Sequence, residues 1–236
     1  MDNVSINKAR ALYYGMFSVF FSFLEEDGKV KNLRENLELL KENAFSEYVG
    51  DAIENILLIL KHDGDAALIK ESNEIFFNPY SEFIAMTASY YDEQRDDGKM
   101  RMKMLEYVLH SKFRRDQDNF KENEDHISFI LEFIQKLLLE SVETKSKCSE
   151  ELVKTIFKEV LNKFVDDFIL SLYEHQNAYI FKEVAIIFQA FIELERTYLD
   201  IEKPNFQAHA TSVKIEKKIT KPFKKRPEKN FDEIKL

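Results

Sequence analysis

Between residues 127 and 138 the apolar side chains are Ile127, Ile130, Leu131, Ile134, Leu137 and Leu138, a spacing that puts all six on one face of an amphipathic helix. The same periodicity recurs over 5–25, 31–42, 46–62, 65–77, 80–90, 98–115, 149–173 and 177–199. Turn-forming pairs punctuate it at Asp27-Gly28, Asp63-Gly64, Asn78-Pro79 and Asp97-Gly98. No alternating strand pattern and no long internal repeat interrupts the series. The pattern therefore predicts an all-α fold, a single compact multi-helix domain of about nine helices, in preference to a solenoid.

Composition narrows this further. Only nine of 236 residues are Gly or Pro, far too few for a turn-dense β-sandwich or a collagen-like chain, while 21 Phe and 44% hydrophobic residues supply a large core. The charge is unevenly placed. Residues 1–200 hold 24 basic and 38 acidic residues, net −14, whereas 201–236 hold ten basic and five acidic, net +5. Three of the four prolines, Pro204, Pro222 and Pro227, also lie in this last part, which has no apolar period. The expectation is a helical domain over 1–200 and a basic, disordered tail over 201–236. The acidic domain argues against nucleic acid as a partner. The single cysteine, Cys148, can close no intrachain disulfide and build no thiolate metal site, which fits a reducing cytoplasm. The apolar run from Ala11 to Leu24 falls short of the ~20 residues a spanning helix needs. It passes straight into Glu25-Glu26-Asp27 with no cleavage signature, so a mature cytoplasmic protein without stable membrane insertion is expected.

The familiar catalytic signatures are missing: there is no Gly-rich phosphate loop, no His-Glu-x-x-His, no paired cysteines and no Gly-x-Ser-x-Gly. Of the five histidines only His126 stands in a dense polar group, Glu122-Asn123-Glu124-Asp125-His126, directly before the strongest helix. Asn123 is a candidate N-cap, which would place Glu124 and Asp125 in the first turn, where the helix dipole favours negative charge. Alternatively, an acid and an imidazole at a loop-to-helix junction can hold a cationic or hydrogen-bonding ligand. A metal held by Glu122 and His126 would need further ligands that the spacing does not offer. A second cluster runs Ser89-Tyr90-Tyr91-Asp92-Glu93-Gln94-Arg95-Asp96-Asp97-Gly98. It is either an aromatic helix end with a solvated acidic loop, or an aromatic and carboxylate surface suited to Arg or Lys flanked by apolar residues. Upstream lies the turn Phe76-Phe77-Asn78-Pro79-Tyr80.

The order Tyr90-Tyr91-Asp92-Glu93, then about thirty residues, then Glu122-Asn123-Glu124-Asp125-His126 running into an apolar helix, resembles the TorD/DmsD/NarJ family of redox-enzyme maturation chaperones. In that family the approximate pattern is Glu-Pro-x-Asp-His, so Glu122, Asp125 and His126 match and Asn123 replaces the usual proline. Arg10-Ala11-Leu12-Tyr13 with Phe17 is similar to the family's first helix, and Phe76-Phe77 to its Leu-Phe pair. No Trp occurs, and Met86 stands roughly where some members carry one in the peptide pocket. The resemblance implies a non-enzymatic cytoplasmic chaperone, itself without a cofactor. Its partners would be the twin-arginine signal peptide and apoprotein of a molybdenum or tungsten oxidoreductase, formate dehydrogenase among the plausible clients. The implied peptide-binding residues are Asp125, His126, Asp92, Glu122, Tyr90, Tyr91, Phe76, Arg10 and Phe17. Arg10 reads equally as a surface charge on the first helix, whereas Phe17 and Phe76 read first as core, with partial exposure to the groove as the alternative. Such a peptide, a basic pair followed by an apolar stretch, needs carboxylates beside an apolar groove, and the net negative domain would attract it at long range. A helical metal-dependent phosphohydrolase and an adaptor using the basic tail are the rival readings. Monomer, dimer and helix exchange across a hinge near Asp116 to Asn123 all stay open.

Overall fold

Each apolar stripe finds its partner in a stack of helices. The computed structural model describes residues 3–25, 28–116 and 120–204, and among these it contains ten α-helical segments and no named strand. They are α1 (Asn3–Phe20), α2 (Gly28–Glu42), α3 (Glu47–Asp63), α4 (Asp65–Ser72), α5 (Ala88–Glu93), α6 (Lys99–Leu109), α7 (Ile127–Thr144), α8 (Lys147–Ile156), α9 (Asn162–Glu174) and α10 (Ile180–Leu199). One π-helical turn, Asn73–Phe77, ends α4, and another, Phe157–Leu161, joins α8 to α9 in one rod, so the ten segments make nine rods. None of these helices is long and apolar enough to cross a membrane.

Helix α1 lies along α7 in the most extensive pairing of the fold, and α10 packs against α3 and α9. Between them sits an aromatic core. Phe17 meets Phe188 and Phe191 with ring centroids 4.5 and 5.7 Å apart, and Phe21 meets Phe168 at 5.0 Å. Each such ring, fully removed from water, contributes roughly 1.5–3 kcal/mol. The long helices are also tied by charge. Glu71 of α4 accepts the backbone N–H of Tyr179, Ile180 and Phe181 at 2.8, 3.1 and 2.9 Å, so the orphan donors at the start of α10 are satisfied from a distant helix.

Two expected helices are shorter than their apolar pattern. Over 80–90 the chain is non-helical from Asn78 to Thr87, and α5 covers only 88–93. Pro79 forces Asn78 out of the helical region, to φ −80° and ψ 114°, and the Asn78 side chain then accepts the Tyr80 N–H at 2.9 Å, closing a turn instead of a helix. Over 98–115 the helix stops at Leu109. There Arg114 Nη1 takes the carbonyls of Val108, Ser111 and Phe113, which an onward helix would have used itself.

At the other end the helical unit continues past residue 200. Ile201 is buried and bonds back to the Arg196 carbonyl at 3.0 Å, and Lys203 pairs with Asp166 at 3.1 Å. The rest of the expected basic tail, 205–236, lies outside the described residues.

Candidate functional site

Three pieces of chain meet at the start of α7: the non-helical segment 78–87, the short helix α5 and the loop 120–126. Backbone bonds join them. Ala88 N–H donates to the Asp125 carbonyl at 2.9 Å and Ile127 N–H to the Met86 carbonyl at 2.8 Å, which makes Thr87 and His126 an isolated antiparallel bridge. The Asp125 carboxylate, wholly buried, accepts the Ser89 N–H at 3.0 Å through Oδ2 while Oδ1 has no partner. Asp125 therefore fastens the start of α5 with both its backbone and its side chain.

The cap of α7 differs from the expected one. Helix α7 begins at Ile127 and its N-cap is His126, whose Nδ1 accepts from Ser128 N–H at 3.3 Å and stands 2.8 Å from Ser128 Oγ. Asn123 forms the preceding turn instead, with its amide on Asp97 Oδ1 at 3.0 Å, and Glu124 and Asp125 lie upstream of the helix. Burial holds the His126 imidazole down at about 4, against a weaker upward pull from Asp96. It is thus a neutral acceptor at physiological pH.

Most carboxylates here already have cations. Glu124, buried, lies 3.0 Å from both Arg101 and Arg115. Glu93 pairs with Arg95 and Lys99, Asp97 with Arg101, and Glu159 with Lys103. By contrast Glu82, Asp92, Asp96, Glu122 and Asp167 form no salt bridge among the described residues, although the Lys103 ammonium feels the Asp92 charge. The aromatic residues form a ladder running inward: Phe83 to Tyr90 at 5.3 Å, Tyr90 to Tyr91 at 6.4 Å, and Tyr91 stacked on Phe164 of α9 at 5.2 Å. Tyr91 also donates its hydroxyl to the Ala85 carbonyl at 3.0 Å, and burial, with the nearby Asp167 charge, raises its ionisation far above the ordinary range. The far end of the segment is pinned by His175, whose Nε2 lies 3.1 Å from Ser81 Oγ and 3.2 Å from the Glu82 carbonyl. Held at both ends, the segment turns Tyr80 (95% exposed) and Phe83 (70%) to solvent.

The structure sorts the sequence candidates into three groups. Asp125, His126, Tyr90, Tyr91 and Asp92 are brought together around the crossing segment, Asp92 exposed and the first two beneath it. Glu122 is half-buried on the adjoining loop, where its backbone carbonyl accepts Arg115 Nη1 at 2.5 Å. Phe76 is half-buried against Phe181, with ring centroids 5.1 Å apart. Arg10 and Phe17 are not part of this surface. Phe17 is fully buried, and Arg10, 6% exposed, is held by Glu195 in a bidentate pair at 2.6 and 2.7 Å, by Asn7 at 3.0 Å, and over the Tyr198 ring at 4.6 Å. Burial alone would pull the Arg10 guanidinium down, but its bonds and charge contact with Glu195 hold it above its ordinary value. Tyr80 ends the turn Phe76-Phe77-Asn78-Pro79-Tyr80 that the sequence marks, whereas no motif singles out Phe83 or the half-buried Asp167; for Phe83 a signal is present in Asn78-Pro79, which strips the following aromatics of helical partners. Among the described residues no three His, Cys, Asp or Glu converge as metal ligands.

Three comparisons bear on this arrangement. The sequence profile of the nitrate reductase delta subunit family matches residues 42–170, just over half the chain and all of the crossing segment, α5 and the Asp125–His126 junction. No curated protein matches. Among solved structures, a crystal structure assigned as a redox enzyme maturation protein of Archaeoglobus fulgidus superimposes with a TM-score of 0.51 over 79% of this chain and 93% of its own, at 19% identity, a likeness of fold. The chain thus belongs to the nitrate reductase delta subunit family, the NarJ/TorD-type chaperones of redox-enzyme maturation, whose members are not catalysts.

Proposed function

We propose that this protein is a cytoplasmic chaperone that binds the twin-arginine signal peptide of a molybdenum or tungsten oxidoreductase precursor and holds the precursor back while its cofactor is loaded. One observation carries the reading: a segment without helical structure, fixed at both ends, presents Tyr80 and Phe83 to solvent with the exposed carboxylate Glu82 between them in sequence and the exposed Asp92 on the helix that follows. Exposed rings of this size, on a segment too well tied to collapse inward, suit the apolar stretch of a signal peptide. Exposed carboxylates suit its basic pair. Asp125 and His126 act from below, by fixing where the segment runs.

Formate dehydrogenase is one client compatible with this reading. Isothermal titration with a synthetic signal peptide, two adjacent arginines followed by an apolar stretch, tests it. Binding by the intact protein is expected, with a loss of about tenfold or more in a Tyr80→Ala/Phe83→Ala variant that keeps its helical signal. Failure of the intact protein to bind, or undiminished binding by the variant, would refute the proposal.

A further inference from the structure

The chain between α6 and α7 carries an arginine pair of its own, Arg114-Arg115, and its two members are held differently. Arg114 spends Nη1 on the carbonyls at the end of α6 and meets no carboxylate among the described residues. Arg115 turns onto the loop before α7. Its Nη1 donates to the Glu122 carbonyl at 2.5 Å, and its Nε lies 3.0 Å from Glu124 Oε1. Through the same loop Glu124 reaches the start of α5. Arg101, which holds its other oxygen, has its backbone N–H on Ser89 Oγ at 3.2 Å, and the Ser89 N–H is the one that Asp125 accepts.

The resident guanidinium is poorly seated. Arg115 Nε is close enough to Glu124 for an ion pair but lacks the alignment of a hydrogen bond, and it is buried with no other partner among the described residues. A buried donor in that position has given up water and gained only the charge contact. Glu124, by contrast, does not depend on Arg115. Its Oε2 accepts Arg101 Nε at 3.0 Å, and Arg101 is steadied in turn by Asp97. Withdrawing Arg115 would leave the buried Glu124 carboxylate paired, which avoids the penalty for an uncompensated interior charge. The Arg115 side chain, 15% exposed, already reaches the surface and can pass into water.

We infer that Glu124 receives one arginine of the client peptide and that Arg115 is an internal stand-in which the client displaces. This rests on the reading of the protein as a signal-peptide chaperone, and adds to it a binding acid and a built-in competitor. An incoming guanidinium is not tethered to the loop, so it can align an N–H on Oε1 and complete the charge-assisted hydrogen bond that Arg115 lacks. The competitor also makes binding selective. Apolar surface alone does not replace an ion pair, whereas an arginine replaces it in kind. Because Glu124 must be vacated first, the apparent affinity is reduced to the fraction of molecules in which Arg115 is away.

The test is titration calorimetry on the full chain and its variants. The two probes are a synthetic twin-arginine peptide and the same peptide with both arginines replaced by glutamine. Arg115→Gln is expected to bind the arginine peptide at least about fivefold tighter and the glutamine peptide as before, a gain that loss of a merely structural ion pair would not give. Lys121→Gln removes an exposed cation without a salt bridge from the same stretch of chain and should change affinity by less than about twofold. Equal tightening in both variants would reduce the effect to net charge and overturn the inference. Glu124→Gln should lose the preference for the arginine peptide, and adding Arg115→Gln to it should bring no further gain. A second readout needs no variant: the Arg115 Nε–H resonance of the intact protein should move toward that of a solvated arginine as the arginine peptide saturates, and an unmoved resonance overturns the inference. Unchanged or weaker binding by Arg115→Gln, with binding still weakened by Tyr80→Ala/Phe83→Ala, overturns it and leaves the chaperone reading standing. Failure of the intact protein to bind either peptide overturns both.

Discussion

The neutral imidazole of His126 makes stability depend on pH in a way that can be calculated and isolated. In the unfolded chain this histidine titrates near 6.5, while in the folded protein burial holds it down at about 4. As pH falls below 6.5 the unfolded chain takes up a proton that the folded chain refuses. Stability from this group is therefore complete above 6.5 and is lost progressively down to about 4. A tenfold difference in proton affinity between the two states is worth about 1.4 kcal/mol, so the full loss is about 3 kcal/mol. Between about pH 7.5 and about pH 4.5 it is roughly 2.5 kcal/mol, because the folded imidazole is already about a quarter protonated at the lower value. The structural cause is specific. Nδ1 is the acceptor that caps α7, so protonation there turns an acceptor into a donor facing the Ser128 N–H.

Other groups also titrate in this range, so the measurement must be a difference. Urea unfolding of the intact protein and of His126→Asn, each at the two pH values, supplies it. Asparagine keeps a side-chain acceptor for the cap and cannot titrate. The intact protein is expected to lose about 2.5 kcal/mol more than the variant on acidification. Parallel losses, equal to within about 0.5 kcal/mol, would refute the reasoning, since the histidine would then exchange protons equally in both states.

Three further perturbations address the scaffold. Glu195→Ala strands the Arg10 guanidinium inside the α1–α10 contact and should cost about 3–5 kcal/mol in urea unfolding, whereas a paired Arg10→Met/Glu195→Leu change should recover most of it. Asp125→Ala removes a buried charged acceptor, with an expected loss of about 1.5–3 kcal/mol and faster hydrogen exchange at the Ser89 amide, while Asp125→Asn retains an acceptor and should cost less. Glu71→Ala frees the three donors at the start of α10. A loss of about 1–2 kcal/mol is expected, with amide protection falling first at Ile180 and Phe181; unchanged protection there would mean water replaces the carboxylate freely.

The long helices are legible in the sequence because their apolar faces repeat over many turns. Ile127 to Leu138 is the clearest case, and α7 runs where that stripe lies. What the periodicity does not carry is set by single side chains acting over long separations. The apolar pattern over 80–90 looks helical, but one proline and the turn made by Asn78 decide the local path, and the segment is then held by partners 36 and 94 residues away in sequence, Asp125 and His175. The start of α7 lies later than the local rules indicate for a related reason. Asn123 satisfies those rules for a cap, yet Thr87 bridges to His126 and the flanking backbone is claimed on both sides, so the helix cannot begin earlier. Arg10 is ambiguous in sequence because its partner Glu195 is 185 positions away.

These long-range ties change how the Asp125–His126 pair is understood. Both side chains are buried, one fixing the start of α5 and the other the start of α7, and neither offers a free charge to solvent. Their chemistry is spent on holding a segment that contains no regular structure of its own. A segment so held can keep large aromatic rings exposed without collapsing over them. A residue that positions a surface must be the same whatever the surface binds, whereas one that touches the ligand must fit it. On the proposed reading, discrimination between clients falls to the exposed rings and to the exposed Glu82 between them in sequence, and exchanging Tyr80, Glu82 and Phe83 should alter peptide preference while leaving the Asp125 and His126 contacts as they are.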